Sequence, residues 1–169
     1  SYDILIWRKL PLKFKLYNMI TLEEFKKKKI NKCRLIGLDL GSKRIGVSIC
    51  DDKQSIATPF KTINKINTNE LIIQLQEIIT EYNIKGIIIG NPINMDGSLG
   101  RSAQSVNDVS NNIDKSIKVD VCLWDERLSS VGAYKMTSLL DIKASKKMKS
   151  IDKNAAAFIL QGAIDFLNN

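Results

Sequence analysis

The sequence predicts an α/β protein: a mixed five-stranded sheet, three antiparallel strands followed by two parallel ones, with helices on both faces. Two observations predict this fold. Apolar, β-rich segments follow one another directly at the start of the folded part, and further along, short apolar strands alternate with amphipathic helices. With 169 residues, of which 44% are hydrophobic and 26% charged, the chain is expected to form one domain with a buried core.

The first three strands follow one another without a helix between them. The segments "RLIGLDL" at 34–40 and "RIGVSIC" at 44–50 are joined by a glycine-containing turn, which is typical of a hairpin. A third short strand is predicted at "TPFKTI", residues 58–63. The later pattern predicts a helix at 69–82, a strand at 86–90, a helix at 101–113, a strand at 119–124, a helix at 129–140 and a final helix at 152–167.

The N-terminal segment differs in charge from the rest of the chain. Residues 1–34 hold ten lysines and arginines against three acids, whereas the remaining residues hold sixteen against fifteen, so most of the net charge of +8 is N-terminal. Thr21 and Glu24 have the spacing of a capping box, which predicts a short helix. We therefore expect a basic N-terminal arm or linker at 1–33 and a folded domain at 34–169.

The composition excludes several classes of enzyme. The chain has no histidine, so no imidazole ligand, no Ser-His-Asp or Cys-His nucleophile and no histidine acid or base is available. Its three cysteines are far apart and have no C-x-x-C spacing, so we expect buried thiols in a reducing compartment rather than a zinc site or a disulfide framework. No apolar run reaches the roughly 20 residues of a membrane span. The expected location is the cytoplasm, or an organelle of bacterial ancestry if an upstream targeting segment was removed.

Three acids are predicted to converge at one edge of the sheet. Asp39 lies inside the first apolar strand, where an ionised carboxylate costs several kcal/mol unless a partner or a metal compensates it. Asp125 and Glu126 directly follow the last strand, and Asp152 shares the apolar stripe of the final helix with Ala156. Without histidine, clustered carboxylates are best suited to hold Mg²⁺ or Mn²⁺, which prefer oxygen ligands. Such a site can hydrolyse phosphodiester bonds without a protein nucleophile.

Each acid also has a purely structural explanation. Asp152 would serve equally well as the N-cap of the final helix, and Glu126 as an ion-pair partner of Arg127 or as a cap of the next helix. Asp39 is the hardest to explain in this way, because a strand interior offers a carboxylate few donors.

Four segments of the sequence resemble the RuvX/YqgF family, whose members are described as Holliday junction resolvases and pre-16S rRNA nucleases with a ribonuclease H-like fold. They are "GLDLGSKRIGVSICDD", "IIIGNPINMDGSLGRSAQSV", "DERLSSVGA" and "KSIDKNAAAFILQGAIDFL", and they occur in the family's order over about residues 34–167. The resemblance implies that Asp39, Glu126 and Asp152 are catalytic and bind the divalent metal.

In such a site, basic and polar side chains around the acids would contact the phosphates of the substrate. Those that we expect to do so lie in the first turn, in the loop before the helix at 101–113, beside Glu126 and in the "KASKKMK" segment: Lys43, Arg44, Asn91, Asp96, Gly97, Arg101, Arg127, Lys143, Lys146, Lys147 and Lys149. Each place also has a structural explanation. Lys43 and Arg44 would lie in a solvated turn, and the residues from Asn91 to Arg101 in an ordinary strand-to-helix loop. Arg127 would form an ion pair, and the lysines of the "KASKKMK" segment would lie in a solvated basic loop.

The favoured function is a divalent-metal endonuclease acting on structured nucleic acid, either precursor ribosomal RNA or a four-way DNA junction, as a monomer or a homodimer. One alternative is a non-catalytic RNA-binding or ribosome-associated module with the same fold, which the near-neutral charge of the domain favours. A second is an actin-like or sugar-kinase ATPase, whose first phosphate loop resembles "DLGSKRIGV". Those proteins need two such lobes, for which 169 residues leave no room.

Overall fold

The computed structural model describes residues 19–64, 67–92, 96–97, 100–126 and 145–169, and of residues 145–153 it describes the backbone alone. The helix predicted at 129–140 lies outside the described residues. Every other predicted element is present. In chain order they are α1 (Leu22–Lys27), β1 (Leu35–Leu40), β2 (Arg44–Cys50), β3 (Ala57–Asn64), α2 (Thr68–Tyr82), β4 (Gly86–Asn91), α3 (Arg101–Ser116), β5 (Asp120–Asp125) and α4 (Ser145–Asn168).

The strands form one five-stranded mixed sheet in the order β3-β2-β1-β4-β5. β1 and β2 form the predicted antiparallel hairpin, with Leu38 opposite Val47, and β2 pairs antiparallel with β3. β1, β4 and β5 are parallel to one another. The predicted sheet is therefore confirmed, and the carboxyl ends of its three parallel strands meet at one edge, where α/β proteins bind their ligands.

Helices cover both faces of the sheet, as the sequence predicts. The apolar stripes of α2 and α3, including Leu75 and Ile113, pack on one face against Ile36, Leu38 and Ile87. On the other face α4 packs against the side chains that alternate with these along the strands. That second cluster contains Leu35, Ile88, Trp124, Ile159 and Leu160.

The final helix begins earlier than predicted. α4 starts at Ser145, not at 152. The residues in between are serine, lysine, methionine and isoleucine, and no glycine or proline interrupts them, so nothing in the sequence stops the helix from extending toward its N-terminus.

The described part of the N-terminal segment packs on the domain. Thr21 caps α1 with the predicted capping box, accepting a hydrogen bond from the Glu24 amide. Leu22 and Phe25 are buried in the same cluster as α4. Ile20 forms a parallel bridge with Cys122, so this segment lies along the outer edge of β5. Whether residues 1–18 act as an arm stays a prediction.

The cysteines behave as expected for buried thiols. All three are free, and Cys50 and Cys122 are buried whereas Cys33 is half-buried. Burial raises the pKa of the Cys50 thiol to about 11 and that of Cys122 to about 12, so both are protonated at neutral pH.

Candidate active site

Asp39 lies near the carboxyl end of β1, on the sheet face that α4 covers. Side chains alternate along a strand, so Asp39 shares this face with Leu35 and Gly37. A Cβ placed on Gly37 would lie 2.7 Å from the Ala156 carbonyl oxygen, so α4 passes directly over this part of β1. Asp39 itself is only 8% exposed. Its side chain is therefore largely shielded from water. Asp39 lies two residues after Gly37, where α4 comes closest to β1.

Glu126 directly follows β5 and reaches over β4 toward the same face. Its Oε1 atom lies 2.7 Å from where the Cβ of Gly90 would be. Leu38 pairs with Ile89 in the parallel register, so Gly90 is the residue of β4 that neighbours Asp39. The structure thus brings the Asp39 and Glu126 side chains to one face and one edge of the sheet.

Gly90 makes room for the Glu126 carboxylate. A Cβ at this position would come within 2.5 Å of Ile159 Cδ1 as well as 2.7 Å of Glu126 Oε1, distances that real contacts do not reach. A side chain at position 90 would force the ends of the Glu126 and Ile159 side chains to shift. The sequence analysis did not single out this residue, although a glycine closing a fully apolar strand often marks a close approach by another group.

The backbone of Asp152 lies toward the same edge. Ser48 in β2 donates a hydrogen bond to the Ala156 carbonyl oxygen at 2.7 Å, which seats the middle of α4 over the sheet. Asn168 at the other end of the helix donates to the Gln54 carbonyl oxygen, in the turn beyond the amino end of β1. α4 therefore runs from the carboxyl edge toward the amino edge, and Asp152 precedes Ala156 by about 6 Å along the axis.

The alternative explanation of Asp152 as a helix N-cap is wrong. α4 begins at Ser145, so Asp152 lies two turns inside it. A residue inside a helix cannot accept hydrogen bonds from the first-turn amides, as an N-cap does.

Two of the predicted phosphate contacts lie at the turn between β1 and β2. Gly41 allows this turn to be tight, because a Cβ there would lie 2.4 Å from the Arg44 carbonyl oxygen. Lys43 is exposed, and Arg44 is half-buried as the first residue of β2. The turn thus carries two cations at the same edge as Asp39.

The loop between β4 and α3 contributes residues to both sides of this edge. Asp96 and Gly97 are exposed in a turn where Gly97 has a φ of 86°, which favours glycine. Arg101 is exposed at the start of α3. Asn91, in contrast, alternates onto the face opposite to Asp39, where its buried Oδ1 atom has no hydrogen-bond partner among the described residues.

The start of α3 has no side-chain cap among the residues that the structure describes. Its N-cap is Gly100, which has no side chain to accept from the first-turn amides, and the first turn contains no acid. A pocket of about 220 Å³ lies between this helix start and the β1–β2 turn, lined by Ser42, Arg101, Ser102 and Ser105 among others. Donors of this kind suit an anion such as a phosphate.

The basic segment before Asp152 is not the loop that the sequence analysis predicts. Lys146, Lys147 and Lys149 lie in the first two turns of α4. Helix formation is consistent with the good helix propensity of lysine and methionine. Lys143 and Arg127 lie outside the described residues, and the side chains of the three helical lysines are not among those described.

The donors at this edge fit a hard divalent cation. Asp39 and Glu126 offer carboxylate oxygens, and the Gly90 position leaves space for one of them against the sheet. Softer ligands are not available, since the chain has no histidine and its buried thiols are protonated. Among the side chains that the structure describes, no group of three or more potential ligands is assembled, and that set does not include the Asp152 side chain.

Comparison with known proteins identifies the family of the chain. The family model described as "RuvX: Holliday junction resolvase" matches residues 33–166. A protein of Pelagibacter ubique named "Putative pre-16S rRNA nuclease" is 74% identical over 151 residues, 89% of this chain and 100% of that protein. One of the same name from Rhodobacter capsulatus is 41% identical, over 79% of this chain and 84% of the relative.

Solved structures resemble the chain in fold. Thermus thermophilus RuvC, in complex with a Holliday junction substrate, superposes with a TM-score of 0.53 at 12% identity, covering 78% of this chain and 93% of that one. The yeast mitochondrial Holliday junction resolvase superposes with a TM-score of 0.53 at 13% identity, covering 87% of this chain and 84% of that one. In the described part of the chain, no helix is both long and apolar enough to cross a membrane. The chain belongs to the RuvX family, and it is a nuclease with a ribonuclease H-like fold.

Proposed function

We propose that this nuclease is an endonuclease that processes precursor 16S rRNA with Mg²⁺ or Mn²⁺ held by Asp39, Glu126 and Asp152. The high identity to the Pelagibacter relative, over that protein's whole length, supports the RNA substrate. The name of the family model supports a four-way DNA junction as the second candidate.

One observation carries the proposal: Asp39 and the Glu126 carboxylate lie on the same face of the sheet, on either side of Gly90, and Glu126 Oε1 occupies space that a side chain at position 90 would fill. The course of α4 supports Asp152 as the third member, because its backbone precedes Ala156 by one turn toward the same edge.

The residues of this chain have distinct tasks in that site. Asp39 is positioned by β1, whereas Glu126 directly follows β5 and its carboxylate lies in the space that Gly90 leaves. Lys43 and Arg44 in the β1–β2 turn neutralise phosphates, and the first-turn amides of α3 with Arg101 bind a phosphate in the pocket beside that turn. When bound, the divalent metal activates a water and stabilises the attacking and leaving oxygens of the phosphodiester.

The test replaces each acid by its amide. We expect Asp39→Asn, Glu126→Gln and Asp152→Asn each to lower cleavage by at least about 100-fold, because the amides keep the shape but lose the charge that holds the cation. Without metal, each variant should be at least as stable as the wild type, since clustered carboxylates repel one another. Asp165→Asn, which changes an exposed acid near the other end of α4, is the matched control and should cleave normally.

The substrates are a precursor 16S RNA leader, a four-way DNA junction and a plain duplex, each incubated with Mn²⁺ and then with Mg²⁺, with the cut sites mapped. The proposal predicts site-specific cuts in the RNA leader. Full activity in a chelator, or in the triple amide variant, would reject the carboxylate mechanism, and cleavage of the junction alone would reject the RNA substrate.

A non-catalytic RNA-binding module is the second candidate, favoured by the near-neutral charge of residues 35–169. Calorimetric titration with Mn²⁺ separates the two. A nuclease site should bind the ion in the wild type and lose that binding in Asp39→Asn, whereas a binding module should show no carboxylate-dependent ion binding.

A further inference from the structure

The amino edge of the sheet, opposite to the acids, carries a row of cations. Arg34 directly precedes β1 and Lys85 directly precedes β4, and the two strands are aligned by the pairing of Leu35 with Gly86. The Lys85 amide donates to the Arg34 carbonyl oxygen at 3.0 Å, so the two residues are neighbours across the sheet. Lys118 comes two residues before β5 at the same edge.

The N-terminal segment adds further lysines to this edge. Lys28 is bound to Asp120 at the start of β5, with 2.8 Å between Nζ and Oδ2, which holds the lysine run of residues 26–29 beside the strand ends. We call Lys29, Lys32, Arg34, Lys85 and Lys118 the amino-edge cations. Unlike Lys28, none of the five has an ion pair with any acid in the described part of the chain.

These cations border an open groove of about 640 Å³. Lys32, Arg34 and Lys85 line it, together with Cys33 and Tyr82 among others. Two exposed acids, Asp52 and Glu81, also line the groove, so cations outnumber acids there by three to two. The other two amino-edge cations, Lys29 and Lys118, lie outside the lining of this groove.

We propose that the amino edge is a second contact surface for the phosphate backbone of the substrate, separate from the site of cleavage. Neighbouring strands are about 4.8 Å apart, so cations on β1, β4 and β5 are spread over roughly 10 Å. A row of this length fits successive phosphates of a nucleic-acid strand better than one small anion. Amide groups of Asn31 and Asn83 in the groove supply neutral donors to the same oxygens.

The position of this surface sets a requirement on the substrate. β1 rises about 3.3 Å per residue, so Arg34 and Asp39 are roughly 16 Å apart along the strand. That distance corresponds to about five base-pair steps of B-form DNA, at 3.4 Å each. The nuclease should therefore prefer nucleic acid that extends at least this far from the cut, as a folded leader or a junction arm does. This inference rests on the proposed function.

The test measures binding without cleavage. Fluorescence anisotropy in EDTA gives the dissociation constant of a labelled 30-base-pair RNA duplex, and of a DNA duplex of the same length, between 50 and 300 mM KCl. For the triple variant Lys32→Gln, Arg34→Gln, Lys85→Gln we expect about tenfold or greater weakening at low salt, and a slope of log K against log salt reduced by about two to three. Weaker binding of the triple variant to either duplex supports the proposal, and the duplex that is affected identifies the nucleic acid.

A matched single substitution controls for net charge. Lys61→Gln removes one positive charge from β3, away from the groove, and should leave the slope unchanged, whereas Lys85→Gln should reduce it by about one. Photo-crosslinking of 4-thiouridine RNA should label the peptide that contains Tyr82. Equal slopes for the wild type and a folded triple variant, or equal effects of Lys61→Gln and Lys85→Gln, would overturn the inference. Since no cleavage is needed, a failure of the proposed function would leave this result interpretable.

Discussion

Asp39 and Gly90 are neighbours on β1 and β4, and one supplies a carboxylate where the other supplies space. Because side chains alternate along an apolar strand, the sequence predicts the face and the edge at which Asp39 lies. Glu126 directly follows the last apolar strand, β5, which predicts that it lies at the same edge. The need for Gly90 was not predictable in the same way. It depends on where the Glu126 side chain and Ile159 of α4 meet, and this contact joins residues distant in sequence.

The substitution Gly90→Ala tests this arrangement. The added Cβ collides with Glu126 Oε1 and Ile159 Cδ1, so we expect cleavage to fall by at least about tenfold and the free energy of unfolding to fall by about 1–3 kcal/mol. Cleavage is measured well below the unfolding transition, and stability by urea denaturation.

Gly86→Ala is the control, since Gly86 lies on the same strand and the same face. Its Cβ would approach Leu35 Cδ2 at 3.0 Å, far from the acids. This variant is expected to lose stability and to keep cleavage. Equal activity losses in the two variants would mean that packing of the strand, and not the position of Glu126, explains the effect.

At the scale of elements, the strands were predictable and the extent of α4 was not. The hairpin of β1 and β2 has period-two apolar patterns and a glycine at its turn, signals that are local in sequence. The start of α4 lacks such a signal. Asp152 can act as a cap, and the lysines before it are compatible with a loop or with a helix, so the sequence alone did not exclude the shorter helix.

The turn between β2 and β3 gives a pH-dependent prediction. Asp51 accepts hydrogen bonds from the Ile56 amide and from both the amide and the hydroxyl of Ser55. These bonds lower the pKa of its carboxyl from the ordinary 3.8 to about 2. Because the folded pKa is the lower one, the carboxylate stabilises the fold above about pH 4, and this stabilisation is lost as the pH falls toward 2.

We therefore expect Asp51→Asn to be less stable than the wild type at pH 6 and to lose most of this deficit by pH 2, as measured by urea midpoints across that range. Ser55→Ala removes the hydroxyl donor alone and should show a smaller difference with the same trend. A deficit of Asp51→Asn that is equal at both pH values would contradict the assignment.

At the scale of the whole molecule, the N-terminal segment is partly integrated into the domain. Composition separated residues 1–33 from the rest by charge, but charge does not report which apolar residues between the lysines are buried. Leu22 and Phe25 are three residues apart, on one face of α1, and both contact the core. A helix this short gives too weak a periodic pattern to predict its partner.

Phe25→Ala tests how much the domain depends on that helix. Phe25 is 4% exposed, and its ring lies against the start of β4, 3.2 Å from where the Cβ of Gly86 would be. Truncating a buried phenylalanine costs about 3–5 kcal/mol, so we expect a loss of that size in the free energy of unfolding. Cys122, buried in the same cluster, should then react faster with a thiol reagent under native conditions, because thiol reactivity requires exposure and ionisation. Lys27→Ala, an exposed change in the same helix, should alter neither quantity, and unchanged stability of Phe25→Ala would show that α1 is dispensable for the fold.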